Sequence, residues 1–353
     1  MKDSMKISVI IPVYNRIGSL ADCVANVLAF DYDNYELILV NDASTDGTGE
    51  MCKRCAKTHS NVKCVSNLTN LGPGLSRNAG LDAADGEYII FLDSDDRYDK
   101  SLLRKVANAA NEKHPDIIVY SLWEEYYDKD GKLEYKTSHS LPTCYMSHAE
   151  DIHHFMVLLE EETMLGYPWN KAYKLSYLKE CGARFTDVVH VEDILFNIEA
   201  FENITSLTVL EDRLYHYCNE ADNRLTDKYL PDYFELQKLR ITKFYEQQKR
   251  WGTLDQHALS ILSGEYFRWL LSAVERQTHQ CIPPKDIRFF LAREFNTMLY
   301  ANLSKHLRVS KKLTFLYAPM LKRDTKGTIA VAQNISRIKR KLPMVFAMLK
   351  QFR

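Results

Sequence analysis

The feature that most constrains this chain is the order of its first elements. Apolar, β-branched runs at residues 6–12, 36–40, 62–65 and 88–92 alternate with segments of helical periodicity, the first carrying Leu20, Cys23, Val24, Val27 and Leu28. Strand and helix in repeated alternation predict a parallel α/β sheet with right-handed crossovers, because a parallel neighbour is reached only by a long connection over the sheet face. Ligands of such sheets bind beyond the carboxyl ends of the strands. Polar loops stand at those ends: Pro12-Val13-Tyr14-Asn15 after the first run, Asp42 after the second, and Asp93-Ser94-Asp95-Asp96 after the fourth. One crevice can collect them all.

The fourth run ends in three carboxylates. Along an extended strand alternate residues share a side, which predicts Asp93 and Asp95 together with Ser94 opposite. Two carboxylates on one side repel unless a cation lies between them. An oxygen-only pair suits a hard ion such as Mg2+ or Mn2+, with a diphosphate as the natural third partner. The other reading of the same residues is an acidic turn that caps the next helix.

The chain has 353 residues, 46% hydrophobic and 26% charged, which is ordinary for a folded protein of one large domain or two. Its formal net charge of −1 conceals an asymmetry. From Ala301 onward 13 Lys or Arg face one acid, Asp324, whereas the first 300 residues hold 33 bases against 46 acids. No apolar stretch is long enough to span a bilayer and no signal-peptide pattern is present, so a cytoplasmic protein is expected. Eight scattered cysteines fit reduced, packing thiols. Cys52-x-x-Cys55, with His59 and Cys64 beyond it, has zinc-ligand chemistry but lacks a second pair at finger spacing.

Four ordered motifs then carry a resemblance. Ser8-Val9-Ile10-Ile11-Pro12-Val13-Tyr14-Asn15, Val40-Asn41-Asp42 with its polar loop to Thr48, Asn70-Leu71-Gly72 with Arg77-Asn78-x-Gly80, and Asp93-Ser94-Asp95 resemble glycosyltransferase family 2. The resemblance covers roughly residues 6–218. It implies an inverting enzyme on a GT-A fold: a Rossmann-like, mostly parallel sheet flanked by helices. Pro12 and Tyr14 would then line the base and ribose pocket, with Asn15, Asn70, Gly72 and Ser94 along the same site. Asp42 would accept a hydrogen bond from the uracil imide, and Arg77 would contact the uracil or the diphosphate. Asp93 would hold the nucleotide side and, with Asp95, the Mn2+ or Mg2+ that bridges the phosphates.

Further along, periodicity predicts a helix through Leu102, Leu103, Val106 and Ala110, a strand at 116–121, a hairpin at 126–135 turning at Asp130-Gly131, and a helix at 149–162. Pro168-Trp169-Asn170-Lys171 and Val191-Glu192-Asp193-Ile194-Leu195-Phe196 resemble the family's acceptor half. There Asp193 would be the general base, Glu192 its support, and Trp169 a flat wall against a sugar face. An acidic first helical turn and a core tryptophan are the alternative readings of these residues. Many relatives carry an Arg and a Ser-x-Thr-like turn where this chain has the stretch 218–226, so His216 or Arg224 is expected to take over the phosphate contact.

The expected organisation is a catalytic domain at 1–228, divided into a nucleotide-sugar half (1–97) and an acceptor half (98–228). A helical extension at 229–353 follows, with helical spacing at 233–250, 254–276 and 286–303. Residues 335–350 mix a basic cluster with a short apolar run. That composition fits an amphipathic segment on an anionic membrane surface, or a solvated basic helix end packed on the acidic body. The function expected is transfer of a sugar from a UDP-sugar to a hydroxyl of a glycan or lipid-linked acceptor in polysaccharide or glycoconjugate synthesis. The alternatives are a non-catalytic nucleotide-sugar or glycan-binding scaffold of the same fold, or a nucleotidyltransferase. Nucleic acid is not an expected partner, since no recognisable module accompanies the basic tail.

Overall fold

A computed structural model describes residues 5–188, 190–219, 230–310 and 313–341. The chain divides into two compact units, Met1–Arg224 and Leu225–Arg353. The expected boundary at 228/229, Arg224 and the tail beyond residue 341 lie outside the described residues.

The first unit begins with β1 (Ile7–Val13), α1 (Leu20–Leu28), β2 (Tyr35–Asn41), α2 (Thr48–Thr58), β3 (Val62–Ser66), α3 (Gly72–Ala83) and β4 (Tyr88–Phe91). The run continues with β5 (Arg97–Tyr98), α4 (Leu102–Lys113), β6 (Ile117–Tyr127), β7 (Leu133–His139), β8 (Cys144–Met146) and α5 (Ala149–Glu161). It closes with β9 (Lys171–Lys174), α6 (Leu175–Cys181), α7 (Glu192–Ala200) and β10 (Leu207–Asn219). Among the described residues these strands form one sheet in the order β3-β2-β1-β4-β9-β6-β10-β5, with β7 on β6 and β8 on β10.

The half built from β1 to β4 is parallel throughout, as the alternation predicts. Strands β1, β2 and β4 are buried on both faces, which is why they read as continuous apolar runs, whereas the edge strand β3 is only partly buried. The other half is mixed rather than parallel. Here β9 runs antiparallel to both β4 and β6, β6 and β10 are parallel, and β5, β7 and β8 pair antiparallel. The strand expected at 116–121 and the first arm of the hairpin are one continuous strand, β6. It serves β9 with residues 117–119 and β7 with residues 122–127.

An aromatic cluster fixes the centre of this unit. Phe185 and Phe196 stack at 4.0 Å, and Phe91 meets Phe185 edge-on at 5.2 Å. Since Phe91 ends β4 and Phe196 lies on α7, the cluster pins α7 beside the strand that leads into the acidic loop. A hydrogen bond from Tyr173 Oη to Asn197 Oδ1, 2.6 Å, holds the same helix to β9.

The second unit is helical in its described residues: α8 (Tyr233–Trp251), α9 (Gln256–His279), α10 (Pro284–Phe295), α11 (Met298–Leu303), α12 (Thr314–Leu321) and α13 (Thr325–Lys341). The single helix expected over 286–303 is two helices. Thr297 takes an extended backbone and its hydroxyl accepts the Tyr300 N–H, which caps α11 and ends the continuous ladder. More of the carboxyl-terminal third is helical than the expected pattern covers, because α12 and the first part of α13 were not singled out.

Candidate functional site

At the carboxyl end of β1 the chain turns at Asn15, whose φ of 52° lies in the left-handed region that Asn tolerates. Its backbone N–H donates to Ser44 Oγ at 3.1 Å, and its side-chain oxygen accepts the Thr45 N–H at 2.9 Å. Asn15 thus ties the first loop to the second. Tyr14 beside it is 47% exposed, leaving a ring face available to a flat ligand. Pro12 is half-buried and does not end β1, which runs on to Val13; the Val13 carbonyl then accepts the Asp42 N–H at 2.9 Å.

Asp42 is buried and organises the third loop. Its Oδ1 accepts from Asn67 Nδ2 at 2.8 Å and from the Leu71 N–H at 2.9 Å, and its Oδ2 accepts the Gly72 N–H at 2.8 Å. Gly72 sits at φ 84°, where an L side chain is strained, so this loop needs glycine there. Asn70 stays exposed on the loop. A carboxylate offers about four acceptor positions, so Asp42 retains room for one more donor.

The centre of the site is Arg77. It projects from α3, is 3% exposed, and lies with its Cζ 5.4 Å from the centre of the Phe185 ring. One guanidinium nitrogen donates to Asp93 Oδ1 and another to Asp193 Oδ1, both at 2.7 Å. Arg77 thus bridges two carboxylates from different elements. The reason is local: Asn78 exchanges hydrogen bonds with the backbone of Phe185, which draws α3 against the segment leading to α7. Gly74 permits this approach, since a Cβ there would stand 3.1 Å from Glu192 Cγ.

Asp193 occupies the first turn of α7 beside Glu192. Burial pushes its carboxyl up to about 7; Arg77 opposes the rise, while Glu192 and Asp93 add to it. Burial likewise raises Glu192, whose Oε2 is enclosed without a hydrogen-bond partner among the described residues. Arg77 keeps its charge firmly: burial works against it, but Asp193 and Asp93 outweigh that.

The acidic loop departs from the expected alternation because β4 ends at Phe91 and residues 94–96 turn. Asp93 faces Arg77, Ser94 is buried, and Asp95 is exposed and paired with Arg16 at 2.8 Å. Asp96, to which no role was given from sequence, is drawn inward: the Tyr215 hydroxyl donates to its Oδ2 and the Cys218 N–H to its Oδ1. Burial, reinforced by Asp95 and Asp93, pushes its carboxyl well above the ordinary range.

No group of three His, Cys, Asp or Glu able to enclose a metal occurs among the described residues, the Cys52, Cys55, His59 and Cys64 set included. The loop does fit an ion held mainly by a ligand's own phosphates, since Asp95 is an exposed oxygen donor and Mg2+ needs only one or two carboxylates. Asp93 fits that role less well, because Arg77 already engages it.

Trp169 differs from its expected place as an open wall. It is 2% exposed, with Tyr215 stacked at 4.1 Å and Tyr167 at 4.4 Å. The half-buried rings of Tyr167 and Tyr217 carry the stack toward solvent in its stead. Lys171, quoted in the motif without a role, is fully buried below this stack. Its ammonium donates to the carbonyls of Met164, Leu165 and Tyr167 at 2.7, 3.1 and 2.6 Å. His216 Nδ1 is hydrogen-bonded to Glu125 Oε1 at 2.8 Å.

A parallel half-sheet with its polar loops on one edge, continued by a mixed half that supplies a carboxylate, is the GT-A architecture. Over 94% of its length the chain aligns with 92% of the crystal structure of S. aureus TarS 1–349 in complex with UDP-GlcNAc, at TM-score 0.63 and 20% identity. Residues 8–180 match glycosyl transferase family 2, and the chain belongs to that family. It is 28% identical to the putative glycosyltransferase EpsH of Bacillus subtilis over 60% of each protein. It is 27% identical to the poly(ribitol-phosphate) beta-N-acetylglucosaminyltransferase TarS of Staphylococcus aureus, over 67% of this chain and 40% of that protein. The chain thus spans 60% of the first of these relatives and 40% of the second.

Proposed function

We propose that this protein is an inverting glycosyltransferase of cell-wall or cell-surface polysaccharide synthesis, moving a sugar from a UDP-sugar to a hydroxyl of a glycan or lipid-linked acceptor. The observation that carries this reading is the Asp193–Arg77–Asp93 bridge, which sets a carboxylate with a pKa near neutrality beside the loop end of a nucleotide-binding sheet. Family membership and the names of the relatives support it.

In this mechanism Tyr14 and Pro12 hold the uracil and ribose, and Asp42 accepts the imide N–H while it shapes the loop at 67–72. Asp193 removes the proton of the acceptor hydroxyl as that oxygen forms its bond to the anomeric carbon from the face opposite the nucleotide. The bond between the anomeric carbon and the β-phosphate oxygen breaks, its electron pair leaving with UDP, so the configuration inverts. Asp95 would hold the Mn2+ or Mg2+, which when bound neutralises charge on the departing diphosphate. Glu192 shapes the base's surroundings, and Tyr167 and Tyr217 offer ring faces to the acceptor. The basic tail, in this reading, rests on an anionic membrane surface where lipid-linked acceptors are found.

The test is a thermal-shift titration with UDP, CDP, GDP and ADP, each with Mn2+ and with chelator, since a ligand that binds only the folded state raises its stability. Selective, metal-dependent stabilisation by UDP is expected. Transfer from UDP-sugars should then be lost in Asp193→Asn with UDP affinity kept. Stabilisation by no nucleotide would turn the reading toward a glycan-binding scaffold.

A further inference from the structure

On one face of the sheet, three cations gather over aromatic rings. Arg97 of β5 lies with its Cζ 5.3 Å from the centre of the Tyr127 ring. Lys136 of β7 places its Nζ 4.0 Å, and Arg213 of β10 its Cζ 5.1 Å, from the centre of Trp123. Strand register explains why they meet. His216 is paired with both Arg97 and Trp123, Arg213 with Ser121, and Lys136 with Glu125. Paired residues project to the same side and residues two apart along β6 do so as well, so all of these share one face.

None of Arg97, Lys136 and Arg213 forms an ion pair among the described residues. The acid among them, Glu125, is 6% exposed and already committed. Its Oε1 meets His216 Nδ1 at 2.8 Å and its Oε2 accepts the Tyr127 hydroxyl at 2.6 Å. Trp123 already holds two cations close to its ring. What the face presents is positive charge held in place by aromatic surfaces, which reduces the ordering cost of binding an anion.

We propose that this face of β5, β6, β7 and β10 binds an acceptor that is a polyanionic chain, one carrying phosphate or carboxylate groups along its length. The inference rests on the glycosyltransferase reading and names the class of its acceptor. Arg97 links the two sites in sequence, because it directly follows Asp95 and Asp96. A chain engaged here continues from the loop where transfer takes place.

The experiment is fluorescence anisotropy on the full-length protein with three labelled probes of equal length: a glycerol-phosphate oligomer, an oligogalacturonate and a neutral maltooligosaccharide. Both anionic probes, or the phosphate probe alone, should bind at least tenfold more tightly than the neutral one, and the comparison between them identifies the anion recognised. Affinity should fall linearly with the logarithm of salt, and each of Arg97→Gln, Lys136→Gln and Arg213→Gln should flatten that slope by about 0.7. Lys136→Gln lies on an exposed edge strand and keeps the test meaningful if the other two variants fold poorly. Equal binding of anionic and neutral probes, or an unchanged salt slope in Lys136→Gln, would overturn the proposal. UDP-dependent thermal stabilisation, measured in parallel, separates the two claims: stabilisation by UDP without binding of the anionic probes defeats this inference and leaves the enzymatic reading standing.

Discussion

Asp193, the proposed base, links that proposed role to a stability cost. Its carboxyl, ordinarily near 3.8, is pushed up to about 7 by burial, so between those values the folded protein holds a proton that the unfolded chain has released. That contribution to stability is complete below about pH 4 and is lost as pH rises through about 7. Asp193→Asn, which cannot ionise, should therefore melt progressively higher than the parent as pH goes from 5 to 8; a gap that stays constant over that range would mean the carboxyl is not held up. Activity should follow the opposite course, because a base must be ionised, so the turnover rate should fall as pH is lowered through about 7. Arg77 opposes the rise at Asp193, and Arg77→Gln should displace this acid limb to higher pH, with Arg77→Lys restoring part of the shift. A pH–rate profile of the three proteins checks it. Asp193→Asn itself should lower turnover by about 10²–10⁴, the usual contribution of general base catalysis.

At the scale of elements, Lys171 marks the clearest dependence of the site on a buried polar group. Its ammonium satisfies three carbonyls in the segment that leads into β9, and burial lowers its pKa well below the usual value although Asp193 and Glu160 act against this. Lys171→Met keeps the apolar stem but leaves those carbonyls without the ammonium, and should cost about 3 kcal/mol in urea unfolding. Strands β1, β2 and β4 were legible in the sequence because burial on both faces writes them as continuous apolar runs, and the GT-A fold was implied by the family resemblance that the loop motifs carry. Asp42, Asp93 and Asp95 were legible as loop-end carboxylates for the same reason. What pairs with what was not legible. Arg77 meets Asp193 across 116 residues of sequence, and no local pattern encodes that the Asn78 and Phe185 backbone bonds bring α3 and α7 together. Trp169 was open to two readings, a wall against a sugar face or a core residue, because a flanking motif says nothing of Tyr215 and Tyr167 stacking on it. Asp96 escaped notice because its partners, Tyr215 and the Cys218 N–H, come from the far end of β10.

For the whole molecule, the informative quantity is the separation of charge between an acidic body and a basic end, with 13 bases against one acid from Ala301 onward. Part of that basic end is built into the helical unit. In α13 the side chains of Thr328, Ile329 and Ala332 are buried, and the ammonium of Lys339 donates to Glu275 Oε2 of α9 at 2.8 Å. The sequence offered membrane docking and packing as rival accounts of residues 335–350, and the Lys339 bond shows that packing holds for the described part. Membrane docking is then a proposal about residues 342–353, which add Lys350 and Arg353 to the apolar run from Leu342 to Leu349. The two accounts separate by truncation. Ending the chain after Lys341 keeps α13 against α9, so the melting temperature should stay near that of the full chain. Binding to anionic vesicles at low salt should nevertheless drop sharply, because the apolar anchor is gone together with Lys350 and Arg353. Ending it after Asn334 also removes the Lys339–Glu275 bond and should lower the melting temperature as well. At about 0.1 M salt the Debye length is near 10 Å, so vesicle binding by the intact chain should weaken there if charge contributes. Equal vesicle binding by the intact chain and the Lys341 truncation would assign the basic end to packing alone.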